Sequence, residues 1–99
     1  MGHNLKLKTQ KYSEKELENN INLFNEWDWY YISYCQVLSE GFIEKYSDKV
    51  EWYDISKYQI LSESFIKRNI NKINIHYLMM NKNISEEIKK EINLLKEII

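Results

Sequence analysis

The feature that most restricts this chain is a fifteen-residue block that occurs twice. Trp29 to Ile43 reads WYYISYCQVLSEGFI, and Trp52 to Ile66 reads WYDISKYQILSESFI, 23 positions later. The pairs Trp29/Trp52, Tyr30/Tyr53, Ile32/Ile55, Ser33/Ser56 and Gln36/Gln59 are identical, as are Leu38/Leu61, Ser39/Ser62, Glu40/Glu63, Phe42/Phe65 and Ile43/Ile66. Ten identities in fifteen positions at one offset do not arise by chance. A fixed period between about 20 and 50 residues marks a chain built from one supersecondary unit used repeatedly.

Within the period the signals are helical. The 99 residues contain no proline and two glycines, which disfavours a turn-rich all-β fold. Asp28 reads as an N-cap, with Trp29, Ile32, Ser33, Gln36 and Val37 following at helical spacing and Leu38 closing the helix. Ser39 then caps a second helix, with Glu40 in a first turn whose dipole favours an acid. Phe42, Ile43 and Tyr46 form its apolar face, and Asp48, Lys49 and Val50 make the turn into the next copy. Glu51 and Asn74 take the place of Asp28 in the following copies. A third, degenerate copy keeps the register, with Ile75, Leu78, Ile84, Ser85, Glu86 and Ile88 for Trp52, Ile55, Leu61, Ser62, Glu63 and Phe65. Upstream, Ser13 and Glu16 form a capping box, and Leu17, Ile21 and Phe24 share one face, which predicts a helix from about 14 to 25. After Ser85 a longer helix places Ile88, Ile92, Leu95 and Ile99 on one side. Residues 70–76, INKINIH, alternate as a strand would, but the repeat register favours a loop and then a helix.

Helices of about two turns do not persist alone and depend on stacked neighbours. The expected fold is therefore all-α, with short helical hairpins of period 23 stacked as a small solenoid or bundle. The Ser13 and Ser85 helices are expected to cap its ends with polar outer faces. The expected organisation is an N-terminal tail over residues 1–12 and a single helical-repeat domain over 13–99, with units at about 27–49, 50–72 and 73–95.

Composition narrows the chemistry. Cys35 is the sole cysteine, so no disulfide forms within one chain and a reducing compartment is expected. The start MGHNLKLKTQ lacks the apolar run of a signal peptide, and no stretch reaches the ~18 to 20 apolar residues of a membrane span. A soluble protein in the cytoplasm of a host cell is the expectation. Ser39 and Ser62, each followed by a glutamate, are better explained as caps than as nucleophiles, and Glu86 and Glu87 as first-turn acids. Glycine-rich phosphate loops are absent from the sequence, and His3, His76 and Cys35 show no metal-ligand spacing. No catalytic residue, metal or cofactor is expected. His76, beside Tyr77 and Met79, is expected to be a half-buried structural histidine. Gln36 and Gln59 lie on the packed helix face, and a buried amide must be bonded, so a neighbouring loop backbone is the expected partner.

The net charge of −1 conceals a patterned distribution. Residues 1–15 sum to +3, residues 16–54 to −7, residues 55–72 to +3 and the remainder to zero. The most informative positions are those where the copies differ: Tyr31/Asp54, Tyr34/Lys57, Cys35/Tyr58, Glu44/Lys67, Lys45/Arg68 and Tyr46/Asn69. The first copy is acidic and aromatic there, the second more basic. Tyr30, Tyr31 and Tyr34 lie away from Ile32 and Gln36, where they either form an exposed cluster of the kind enriched at protein interfaces or pack on the capping helix or the N-terminal tail.

The block W-x-x-IS-x-x-Q-x-LSE-x-FI, carried by Trp29, Ile32, Ser33, Gln36, Leu38, Ser39, Glu40, Phe42 and Ile43 and their second-copy partners, resembles tandem repeats of bacteriophage, giant-virus and mobile-element proteins. The likeness covers residues 27 to 72 well and 73 to 90 weakly, and the third copy departs from it by losing Trp and Gln. It implies a viral setting and no chemistry. Together with the charge map it implies a non-enzymatic, anti-CRISPR-like inhibitor of a host defence factor, competing with phosphate for a basic nucleic-acid channel. In that reading Glu26, Asp28, Glu44, Asp48, Glu51 and Asp54 supply charge, and Tyr30, Tyr31, Tyr34 and Tyr53 the anchors. The rival reading is direct nucleic-acid binding through Lys6, Lys8, Lys11, Lys57, Lys67 and Arg68 with stacking tyrosines, and the near-zero net charge weighs against it. Self-association through the repeat ends is a third.

Overall fold

The structure, a computed structural model, describes residues 2–98. All regular structure among them is helical, in seven α-helices and one 3-10 turn. The chain forms two compact units, Met1–Glu51 and Trp52–Ile99.

In the first unit, Ser13 caps α1 (Glu14–Asn19) by accepting the Glu16 amide at 3.2 Å. This helix is shorter than the predicted 14 to 25. Asn20 turns its side chain back onto the Glu16 carbonyl at 3.0 Å, and a 3-10 turn, Ile21–Leu23, follows. The physical reason is a second start signal. Asn25 Oδ1 accepts the Asp28 amide and Asp28 Oδ2 accepts the Asn25 amide, both at 2.9 Å. This reciprocal capping box opens α2 (Glu26–Cys35), so Asp28 is the third residue of the helix rather than its cap. At the other end the Gln36 amide bonds the Ile32 carbonyl at 3.2 Å and the helix stops before Val37. Leu38 is buried in the following link, whereas Val37, expected within the helix, lies outside it and is 70% exposed.

Ser39 caps α3 (Glu40–Lys45) by accepting the Phe42 amide at 3.1 Å. The core of the unit gathers Leu17, Ile32 and Ile43, which are fully buried, around Trp29 and Phe42. Phe24, Phe42 and Tyr46 surround the Trp29 ring at centroid distances of 5.8, 6.4 and 5.7 Å. Residues 2–12 pack onto this core through the buried Leu7. The Gln36 amide ties them down: Nε2 donates to the carbonyls of Leu7 and Gln10 at 2.8 and 2.7 Å, and Oε1 accepts the Tyr12 amide at 2.9 Å. The loop expected to satisfy this buried glutamine is the N-terminal segment.

The second unit holds α4 (Trp52–Tyr58), α5 (Glu63–Arg68), α6 (Ile75–Leu78) and α7 (Glu86–Ile98). α6 packs against α4 and α7, and α7 also against α5. Ser62, Asn74 and Ser85 cap the last three helices, accepting the amides of Phe65, Tyr77 and Ile88 at 3.2, 3.0 and 3.2 Å. Residues 70–76 run through a turn into α6 rather than forming a strand. Ile55, Phe65, Ile66, Leu78 and Ile92 are fully buried. Gln59 is buried too, and here Asn81 spans the loop, its Nδ2 donating to the carbonyls of Ser56 and Gln59 at 2.8 and 2.9 Å.

Two expectations are corrected in this unit. Trp52 is half-buried rather than core: it stacks on Phe65 at 6.2 Å with the Lys72 ammonium 5.8 Å above its ring. Asn69 stands where the first copy has Tyr46, so the ring that completes the Trp29 cage has no counterpart. The outward positions of α7 are mostly polar, with Glu86, Glu87, Lys90, Glu91, Asn93 and Glu97 exposed beside Leu94 and Ile98, while Lys89 is buried; Ile99 lies outside the described residues. His76 is exposed, touching Tyr77 edge-on at 5.6 Å.

One buried hydroxyl recurs in both copies. Ser33 Oγ donates to the Trp29 carbonyl at 2.8 Å and accepts the Glu51 amide at 2.8 Å. Ser56 Oγ donates to the Trp52 carbonyl at 2.7 Å and accepts the Asn74 amide at 3.0 Å. Each serine is completely buried and fixes the backbone at the approach to the next helical segment.

Candidate functional site

The early start of α2 sets the character of its surface. Trp27 joins the helix, and Tyr30 and Tyr34 follow it at i+3 and i+7, on the same side. Trp27 is 71% exposed, Tyr30 39% and Tyr34 43%. Their rings form an edge-to-face ladder: Trp27 to Tyr30 at 6.5 Å and 71°, Tyr30 to Tyr34 at 6.1 Å and 80°. Trp29 and Ile32, on the opposite side, are buried. Tyr31 is half-buried beside the ladder, edge-on to Tyr30 at 5.5 Å, with the Lys8 ammonium 5.8 Å over its ring.

At the N-terminal end of the ladder lies a groove of about 400 Å³ whose lining includes Glu26, Asp48, Glu51, Lys49, Trp29 and Tyr30. It brings four predicted site residues together: Glu26, Tyr30, Asp48 and Glu51. Among the described residues no cation lies within ion-pair distance of these three carboxylates. Glu44 is exposed on α3 and does not line this groove. Asp28 is committed to local structure, holding the capping box and facing His3 Nε2 at 3.0 Å. His3 Nδ1 accepts the Leu5 amide at 2.9 Å, so Nε2 carries the proton given to Asp28. Tyr53 and Asp54 belong to the second unit. There Tyr53 is exposed and edge-on to Tyr77 at 5.4 Å, while Asp54 is half-buried in the first turn of α4.

Several differing positions are engaged within the fold. Glu18 Oε2 accepts from Tyr46 Oη at 2.6 Å and pairs with Lys45 Nζ at 2.7 Å. These bonds, Lys45's first, hold the Glu18 carboxyl below its usual range. The same carboxylate pushes Lys45 and Tyr46 up. Cys35 is half-buried, and Lys11 donates to its carbonyl at the C-terminal end of α2, where the helix dipole favours a cation.

The basic residues are mostly occupied as well. Lys67 pairs with Glu63 at 2.7 Å and Glu91 at 3.5 Å, and the bond to Glu63 is the main cause of its raised pKa. Arg68 lies over the Phe65 ring at 5.9 Å and Lys57 over Tyr58 at 5.1 Å. Lys57 also lines a groove of about 540 Å³ with Tyr58, Met80, Lys82 and Asn83. Lys6 is exposed. Among the described residues no three His, Cys, Asp or Glu side chains gather to hold a metal, and no helix is long and apolar enough to cross a membrane.

Trp27 is the residue that reading the sequence missed. The matched block begins at Trp29, and Trp27 corresponds to Val50 in the second copy, so matching the copies gives it no weight. The available signal was Asn25-x-x-Asp28, an amide–carboxylate capping box that places Trp27 on the first turn. Compared with known protein families, with curated proteins and with solved structures, the chain finds no match.

Proposed function

We propose that this chain is a non-enzymatic protein-binding module of stacked helical repeats, whose acidic, aromatic face docks on a basic surface of a partner protein. The observation that carries the reading is the groove beside α2. Glu26, Asp48 and Glu51 line it with no cationic partner among the described residues, next to Trp29 and Tyr30. Carboxylates outside any internal ion pair keep more of their field for an incoming cation, and three acids against Lys49 leave the groove net acidic, which speeds association with the opposite sign. The equal period and the matched Ser33 and Ser56 bonds support the stacked-repeat part of the reading.

The more specific version is a viral or mobile-element inhibitor of a host defence factor, in which these acids stand in for phosphates on a nucleic-acid channel. Its support is the sequence resemblance of the W-x-x-IS block and the −7 balance of residues 16–54. Direct nucleic-acid binding is the weaker alternative, because Lys67, Arg68, Lys57, Lys8 and Lys11 already contact carboxylates, rings or a carbonyl of this chain.

The test is a triple reversal, Glu26→Lys, Asp48→Lys and Glu51→Lys, measured for binding to an arginine-rich peptide across a salt series. The reading expects loss of binding in the variant and a steep decline with salt in the parent. Equal binding by both proteins at low and high salt removes it. A gel shift on single-stranded DNA run alongside decides the alternative: retarded bands that weaken steeply with salt support it, and none at micromolar protein ends it.

A further inference from the structure

We propose that the Trp27–Tyr30–Tyr34 ladder is the anchoring surface of this module and that its occupant is an arginine-bearing segment of a partner protein. The segment lies along α2 with its cationic end at Glu26, Asp48 and Glu51. This inference rests on the reading above and deepens it by naming the contact and its direction.

Exposure is the first ground. A tryptophan with 71% of its surface in water is costly where nothing covers it, and two further exposed rings extend the same patch. Trp and Tyr are the residues that most often carry binding energy, because they bury large area while freezing few torsions. The ladder spans seven residues of helix, about 10 Å at 1.5 Å per residue, which suits a short segment.

Charge names the occupant. α2 contains two acids, Glu26 and Asp28, and no basic residue. Beyond its N-terminal end the groove adds Asp48 and Glu51 against Lys49. Apart from Lys49, the cations named along the ladder lie toward the other end, with Lys8 over Tyr31 and Lys11 on the Cys35 carbonyl. The ladder therefore runs from an acidic end to a basic one. An arginine guanidinium fits the acidic end twice over, since it pairs with carboxylates in a bidentate fork and stacks on aromatic faces. An apolar residue suits the Tyr34 end, where a second cation would meet Lys8 and Lys11.

The experiment uses the full chain and two synthetic decapeptides, one with arginines at one end and leucines at the other, one with glutamates replacing the arginines. The three indole N–H signals are followed by NMR at low salt, with the Trp27 signal assigned by its loss in Trp27→Phe. The proposal expects the arginine–leucine peptide to shift the Trp27 indole saturably and the glutamate peptide to leave it in place. Trp27→Ala should weaken binding at least about tenfold, the effect of a hot spot, and Tyr34→Ala several-fold, with the helical circular-dichroism spectrum unchanged. Parental affinity in Trp27→Ala, with affinity lost in the Glu26/Asp48/Glu51 reversal, overturns the ladder and leaves the acidic-face reading standing. Failure of the parent to bind the arginine–leucine peptide overturns both.

Discussion

The Tyr12 backbone amide donates to Gln36 Oε1 at 2.9 Å across 24 residues of sequence. The same side chain donates to Leu7 and Gln10, so one buried amide satisfies three backbone groups of the N-terminal segment. Gln36→Leu keeps the volume and removes all three bonds. It should cost about 2–4 kcal/mol, because the stranded groups are only partly rehydrated. Urea denaturation measures the loss, and hydrogen exchange at the Tyr12 amide should accelerate more than exchange within α3. A loss below about 0.5 kcal/mol contradicts the assigned role.

The two buried serines predict a matched pair of defects. Ser33→Ala strands the Glu51 amide and Ser56→Ala the Asn74 amide, each at about 1–3 kcal/mol. Their urea midpoints should fall by similar amounts, whereas Ser→Ala at the exposed Ser64 should stay within about 0.5 kcal/mol of the parent.

Asn25→Ala removes one half of the capping box of α2 and should cost about 1 kcal/mol. The informative readout is Trp27. Fraying of Glu26 to Asp28 should dissolve the 6.5 Å contact with Tyr30, changing Trp27 fluorescence while Trp29 stays buried. Asn25→Asp, which keeps an acceptor for the Asp28 amide, should restore the parental spectrum if the cap is the cause.

The Glu18, Lys45 and Tyr46 cluster predicts opposite behaviour at the two ends of the pH scale. The folded Glu18 carboxyl lies below its ordinary 4.5, so its contribution is present above that value and fades as pH falls through the lowered one. The folded Tyr46 phenol lies above its ordinary 10.0, so its contribution is present below that value and fades as pH rises through the raised one. The melting-temperature difference between parent and Glu18→Gln should therefore be greatest in the neutral range and shrink at both extremes. A difference that grows below pH 4 contradicts the assignment.

The serine caps were legible because a hydroxyl three residues before a helical amide is a local signal, and Ser13, Ser39, Ser62 and Ser85 all cap as read. The matched apolar positions were legible for the same reason, apart from Trp52, whose cage depends on a ring the second copy replaces with Asn69. The break after Asn19 was not, because Ile21 and Phe24 keep helical spacing through a 3-10 turn and periodicity cannot see the change. The docking of residues 2–12 was hidden too, since its bonds are to backbone carbonyls that carry no sequence signature. At the candidate site, the acids and Tyr30 could be read from charge and spacing. Their meeting around one groove, and the addition of Trp27, required the fold.

The hydroxyl bridges of Ser33 and Ser56 also govern how such a chain changes length. Each reaches an amide 18 positions downstream, and the two sets of bonds are separated by one period of 23. Gain or loss of one whole period by recombination leaves every bridging serine facing an equivalent amide. An indel of one or two residues between serine and amide leaves a buried hydroxyl and a partly buried N–H without each other. The period is thus also the one shift of the chain that carries one serine–amide bridge onto the other.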